Sequence, residues 1–273
     1  MKDNEFFSEA NTRNARKLNP QEKRWKTKAL VLCGIFLLLF IGQLLFYHII
    51  WNLNDWTCVL ILQIVLIMPA YLSNAGMLLF GKGGKPLDKE IICEDGNRLF
   101  GPGKTIRGFI LGPIFGILIA LIIHSIFFFT WEGIENTIIA FFGGQREYVL
   151  FDIPPDVAVN IFKVYMTGAR LHETLWFGLL RLIPRIVLIS YGAAVGDLIG
   201  SWLKRRLNKN RGEPLWGVDQ LDFIAPAILL SIPFVILNWT FLTVLVFIAI
   251  FTPSMALIAN IVAYLVGIKN IPY

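Results

Sequence analysis

The sequence predicts an all-α, polytopic membrane protein, with about six transmembrane helices and a polar cavity open to the cytoplasm. Three observations carry that fold class. First, 56% of the 273 residues are hydrophobic and only 16% are charged, with a mean hydropathy of +0.63. A soluble domain leaves too much of its surface in water to hide such a share. Second, the apolar residues come in continuous runs of membrane-spanning length, not in the alternation of a β-barrel. Third, basic residues recur in every other segment between those runs. The same composition excludes disorder, and three cysteines exclude a disulfide scaffold.

The runs are taken in chain order. Ala29–Ile50 is free of charge and has spanning length. It follows a basic segment too long for a signal peptide, with no small-residue cleavage site after it, so it is expected to be an anchor behind a cytoplasmic tail. A second run covers about Thr57–Phe80 and a third about Gly108–Thr130. The fourth, Pro184–Leu203, contains Asp197. Phe223–Leu237 is shorter and interrupted by Pro226 and Pro233, which membrane helices tolerate where neighbours satisfy the freed backbone groups. About Leu242–Gly267 is the sixth.

Lys plus Arg counts in the intervening segments run 8 (1–28), 0 (51–56), 6 (81–107), 3 (131–173), 5 (204–220), 0 (238–241) and 1 (268–273). The positive-inside rule then places both termini and the segments 81–107 and 204–220 in the cytoplasm. Segment 131–173 faces outward and is expected to hold a short interfacial helix near Ile134–Phe142. Arg181 and Arg185, four apart on one helix face, read as snorkelling anchors. Cys33, Cys58 and Cys93 have no metal-like spacing and read as packing residues. His48, His124 and His172 are scattered away from the cytoplasmic segments, which argues against zinc and against a histidine base. The alternation of basic charge is explained by topology and does not call for nucleic acid.

Two cytoplasmic segments concentrate the chemistry. Phe100–Gly108 reads FGPGKTIRG. A Walker loop would need glycine where Arg98 stands, and would follow a strand, so that reading fails. The physical elements remain: Gly103, Lys104, Thr105 and Arg107 sit at a helix N-terminus, where backbone N–H groups favour anions. Anchoring of the third helix explains the same charges equally well. In the second segment, Asp197, Ser201 and Lys204 are spaced four and three and share one helix face. Asp197 lies about 9 Å inside the helix end at ~1.5 Å per residue, where a carboxylate needs a cation or a partner. Asp219 and Asp222 stand at the start of the fifth run. With Lys204, Arg205 and Arg206 beside them, the three aspartates suit Mg²⁺ bridged to substrate phosphates.

These residues resemble the CDP-archaeol synthase family, the archaeal-type CTP:lipid-phosphate cytidylyltransferases related to bacterial phosphatidate cytidylyltransferases. Four blocks carry the resemblance: Pro69–Gly81, Phe100–Gly108, Gly196–Phe223, and the closing stretch from Pro253. The segment between Arg205 and Asp219 lacks the His-Gly-Gly element of the bacterial type, which favours an ether-lipid substrate. The resemblance implies transfer of CMP from CTP to the phosphate of an isoprenoid-ether glycerol phosphate, with release of pyrophosphate. It implies that Asp197, Asp219 and Asp222 hold Mg²⁺, that Lys104 and Arg107 grip CTP, and that Lys204 and Arg205 hold pyrophosphate or the lipid phosphate. It extends the site to Gly103, Thr105 and Ser201, and to the intramembrane amides Asn74 and Asn260, for which interhelical hydrogen bonding is an equal explanation. On this reading residues 1–28 form a basic tail and 29–56 add one membrane pass and a short outer loop. Residues 57–273 form the cytidylyltransferase domain, with 131–173 an outer insertion. Phosphatidate cytidylyltransfer and anion transport are the alternatives. A CDP-alcohol phosphotransferase is disfavoured because Asp219 and Asp222 lack the Asp-Gly…Ala-Arg stretch of that family.

Overall fold

A computed structural model describes residues 20–50, 53–143, 154–209 and 213–265. Among these residues the chain is built from nine α-helices: α1 (Pro20–Ile50), α2 (Leu53–Gly81), α3 (Ile106–Phe129), α4 (Trp131–Gly143), α5 (Pro155–Thr167), α6 (Leu175–Arg206), α7 (Val218–Leu221), α8 (Ile224–Ser231) and α9 (Trp239–Leu265). Among the described residues the only β-type pairings are two isolated bridges in the α2–α3 loop, Pro86 with Thr105 and Ile92 with Arg98. Five helices are long and apolar enough to cross a bilayer: α1, α2, α3, α6 and the portion Trp239–Val262 of α9. The all-α membrane fold expected from hydropathy is therefore observed.

The fifth expected span differs. Residues 223–237 form the eight-residue α8, then a 3₁₀ turn over Ile232–Phe234, then extended backbone from Val235. The prolines explain the break. Pro226 lies in the first turn of α8, where its missing N–H has no intrahelical partner anyway, whereas Pro233 would remove a bond from a continued helix.

The described residues fall into two compact units, one of 20–46 with 248–265 and one of 47–247. In the first, Phe40 and Phe251 lie 6.0 Å apart, Ser254 donates to Phe36 O at 3.4 Å, and the Lys26 ammonium lies 5.3 Å from the ring centroid of Tyr264. The second holds α2, α3 and α6 face to face. Gly76 of α2 meets the backbone of Gly112, and Gly116 meets Pro69 and Ser73; a Cβ at Gly76 or Gly116 would collide with the facing backbone. Such small-residue contacts bring membrane helices close enough to pack where no hydrophobic effect drives them together. Ala120, Leu182 and Ile186 form the buried centre of this packing.

A helix, α4, covers the stretch near Ile134–Phe142 where one was expected, but α5 was not foreseen. It packs into the protein: Ala158, Val159, Ile161, Phe162, Val164 and Tyr165 are all buried. Its C-terminal carbonyls are capped from neighbouring helices. Arg185 donates to Val164 O at 2.9 Å and Tyr165 O at 2.5 Å, and His124 Nδ1 lies 2.7 Å from Met166 O. This corrects the snorkelling assignment for Arg185, which is 1% exposed. Orphaned helix-end carbonyls and the negative end of the α5 dipole hold the cation inside. Arg181 does approach the surface, but as the partner of Glu173, at 2.8 Å from Nη2 to Oε1.

Candidate active site

The site grows from the α2–α3 loop, residues 82–105. Its two arms run antiparallel, with Leu87 N donating to Lys104 O at 2.7 Å, Ile106 N to Lys85 O at 3.0 Å and Cys93 N to Asn97 O at 2.9 Å. Gly101, at φ +102°, makes a turn that other residues rarely adopt. Thr105 closes the loop as the N-cap of α3, accepting from Gly108 N at 3.2 Å and donating to Gly81 O at 3.1 Å. The hydroxyl expected to meet phosphate is thus already engaged in joining α2 to α3.

This loop is docked on the C-terminal turns of α6. Asn97 Nδ2 donates to Asn208 Oδ1 at 2.7 Å. Arg206 donates to Arg98 O at 3.1 Å and pairs with Asp95 at 2.9 Å. Gly101 faces the Arg205 guanidinium, where an added Cβ would stand 3.8 Å from Nε. Deeper, Lys104 Nζ donates to both oxygens of Asp197 at 2.6 Å. The intramembrane carboxylate therefore has the partner its position demands. Asn74, Gly103, Lys104, Thr105 and Asp197 line one small recess with apolar walls that include Leu78 and Phe109.

The other two aspartates approach α6 from the short helix α7 and the residue after it. Gly192, Gly196 and Gly200 form a stripe along α6 that meets Ala227, the Asp222 backbone and the Asp222 side chain in turn. A Cβ at Gly196 or Gly200 would collide with Asp222. Burial, and then the negative charge of Asp197, push the Asp222 carboxyl up to about 7, with Asp219 adding to the effect. The Phe223 amide and Lys104 pull the other way. Asp219 pairs with Lys204 at 2.7 Å and accepts from Leu215 N at 3.0 Å. Its Oδ1 is buried with no hydrogen-bond partner.

Of the expected site residues, the structure joins Asn74, Gly103, Lys104, Thr105 and Asp197 in the recess, and Lys204 with Asp219. Asp222 lies within electrostatic reach of Asp197, Asp219 and Lys104. Ser201 is half-buried one turn beyond Asp197, and Arg107 is exposed at the start of α3. Asn260 belongs to the other compact unit. Asp88, Arg98 and the α6 glycines were missed. The glycine spacing of four was visible in the sequence; the partner it admits was not.

Among the described residues no three acidic, histidine or cysteine side chains surround one point as they stand. Ammonium groups sit on two of the three aspartates instead. The chemistry nonetheless fits a hard cation: three carboxylates, one buried oxygen without a partner, and one carboxyl whose proton affinity is raised by burial and then by its acidic neighbours.

Comparison with known proteins gives the family. The family model described as CarS-like, CDP-archaeol synthase, matches residues 57–150 and 159–273. The CDP-archaeol synthase of Thermococcus gammatolerans is 33% identical over 208 residues, covering 76% of this chain and 92% of its own. That of Methanocaldococcus jannaschii is 35% identical over 205 residues, covering 75% and 92%. That of Methanoculleus marisnigri is 31% identical over 210 residues, covering 76% and 99%. A solved intramembrane enzyme for archaeal membrane lipid biosynthesis is 27% identical, with a TM-score of 0.46, over 72% of this chain and 92% of its own. The chain belongs to the CDP-archaeol synthase family.

Proposed function

We propose that the chain transfers CMP from CTP to the phosphate of an isoprenoid-ether glycerol phosphate, in a Mg²⁺-dependent reaction that releases pyrophosphate. The lipid phosphate oxygen forms a bond to the α-phosphorus of CTP as the bond to the pyrophosphate oxygen breaks. The lipid phosphate is already ionised, so no general base or covalent intermediate is required. Catalysis is then positioning and charge stabilisation.

One observation supports the reading above the others: the α2–α3 loop and the C-terminal turns of α6 meet through Lys104 and Asp197. Lys104, Arg107 and Gly103 are assigned to CTP phosphates. Lys204 and Arg205 are assigned to pyrophosphate or the lipid phosphate, and Ser201 and the Asn74 amide to substrate binding, with Asn260 a further candidate. Asp197, Asp219 and Asp222 are assigned to the metal. When bound, Mg²⁺ supplies charge neutralisation of the nucleotide phosphates. Family membership makes the chain a CTP-dependent cytidylyltransferase; the ether-lipid acceptor is the finer part of the proposal.

Residues 57–273 are the proposed catalytic domain, a span that agrees with the family match, and 29–56 an added membrane pass. CTP is cytosolic, so the reading needs loops 81–107 and 204–220 on the cytoplasmic side, as their basic charge favours. Incubation of the purified protein with CTP, Mg²⁺ and either an ether- or an ester-linked lipid phosphate tests the acceptor. A CDP-lipid from the ether substrate at higher kcat/KM is expected, and equal or better turnover of the ester lipid would overturn the ether assignment.

A further inference from the structure

We infer that Asp88 is a positioning residue for the nucleotide site: its buried carboxylate sets the conformation of residues 98–105 and, through it, the approach of Lys104 to Asp197. The inference rests on the proposed function of that site. Asp88 touches neither Lys104 nor Asp197, so it acts only through the loop.

Asp88 is 2% exposed and organises donors from four residues. Arg98 donates through Nε at 3.2 Å and Nη2 at 2.6 Å. The amides of Phe100, Gly101 and Glu90 donate at 3.3, 3.0 and 3.1 Å. Burial alone would raise this carboxyl, but the Arg98 guanidinium and the three amides outweigh it and hold the group well below the ordinary carboxylate range. A carboxylate placed among so many donors is a permanent anion and fixes the peptides that point at it.

Those peptides lead directly to the site. Gly101, whose N–H is held by Asp88, accepts from Lys104 N at 3.2 Å, and Leu87, next to Asp88, donates to Lys104 O at 2.7 Å. The Lys104 backbone is thus fixed from both sides by groups that Asp88 arranges. Gly101 also presents its bare face to Arg205. Arg98, fixed by Asp88, offers its carbonyl to Arg206 of α6. One side chain therefore sets the loop both against α6 and against the Lys104–Asp197 pair.

The test uses the full-length protein in proteoliposomes with Mg²⁺, CTP and the ether-linked lipid phosphate. Asp88→Ala should raise the KM for CTP at least about tenfold while the KM for the lipid phosphate stays within about twofold, because only the nucleotide-facing loop moves. Asp88→Asn should show a smaller rise, since it keeps an acceptor but leaves Arg98 with only the 3.7 Å contact to Glu90. Adding Arg98→Gln to Asp88→Asn should recover part of that loss by removing the under-compensated charge, which a general loss of folding would not do. An unchanged KM for CTP in Asp88→Ala, or no recovery in the double variant, would overturn the inference. If wild-type protein makes no CDP-lipid, it is the functional reading that fails. Amide hydrogen exchange in the ligand-free protein then decides separately: Asp88→Asn should speed exchange at Phe100 and Gly101 about tenfold or more with α2 and α3 unchanged, and equal exchange would overturn the positioning role.

Discussion

Lys104 and Asp197, 93 residues apart in sequence, form a two-pronged ion pair in which the ammonium donates to both carboxylate oxygens at 2.6 Å. One partner ends the α2–α3 loop and the other lies inside the last turns of α6. The pair gives each charge a role in the ligand-free protein: the lysine neutralises a carboxylate that the membrane would otherwise penalise. It also sets a competition, because the same lysine is assigned to CTP and the same aspartate to the metal.

Lys104→Ala is therefore expected to have effects of opposite sign. Divalent-ion affinity without nucleotide should tighten, on the order of three- to tenfold, because Asp197 loses its competing cation. The KM for CTP should rise about tenfold or more. Calorimetric titration with Mg²⁺ and steady-state kinetics read the two, and a metal affinity that weakens would contradict the exchange.

Asp219→Asn and Asp222→Asn are each expected to lower kcat by at least about 10²-fold, through loss of metal-centred charge stabilisation. Above about pH 7, where the folded Asp222 carboxyl loses its proton, Asp222→Asn should also raise the melting temperature of the metal-free protein, since it removes a buried charge held among like charges. Near-normal turnover in both variants would remove these residues from the metal site.

The raised Asp222 carboxyl gives a pH signature with a definite sign. Its folded value of about 7 lies above the ordinary carboxylate value of ~3.9. Between the two, the folded state binds the proton that the unfolded state has released, so metal-free stability falls as pH rises through that window. Metal binding expels the proton, so Mg²⁺ affinity should climb with pH, at most about tenfold per unit, and level off above about 7. Titrations from pH 5.5 to 8.5 check this, and a flat profile in wild type would contradict it.

Gly200→Ala should mimic loss of Asp222 without touching a charge. Its Cβ would run into the Asp222 side chain, whereas one at Gly103 meets open space. Activity is expected to drop about tenfold or more for Gly200→Ala, with unchanged membrane insertion and a far smaller effect from Gly103→Ala on metal affinity.

Arg185→Met should destabilise the fold and spare the site. It strips the Val164 and Tyr165 carbonyls of their donor, at about 1–3 kcal/mol for each buried group left unsatisfied. Arg185 is twelve residues from Asp197 along α6, about 18 Å at ~1.5 Å per residue. A lower melting temperature with an unchanged KM for CTP is the expected result.

Most of the bilayer architecture was legible because a membrane span announces itself by length and charge exclusion. Asp197 was legible for the converse reason, as a carboxylate where an apolar helix does not keep one unpaired. Helix α5 was not, because thirteen residues containing Asp156, Asn160 and Lys163 are too short and too polar to read as a span. Its burial depends on Arg185 and His124 reaching its carbonyls from other helices. Pro226 and Pro233 were noticed, but whether they kink or end a helix is decided by packing. Asp88 carries no periodic signal among the lysines of its loop, and its importance comes from four donors that only the folded loop assembles.

The most direct test of the central claim is label transfer with the purified protein, Mg²⁺ and the ether-linked lipid phosphate, using CTP labelled at either the α- or the γ-phosphate. The account predicts that α-label enters the lipid while γ-label leaves as pyrophosphate. Absence of α-label from the lipid, or transfer of γ-label to it, would contradict cytidylyl transfer.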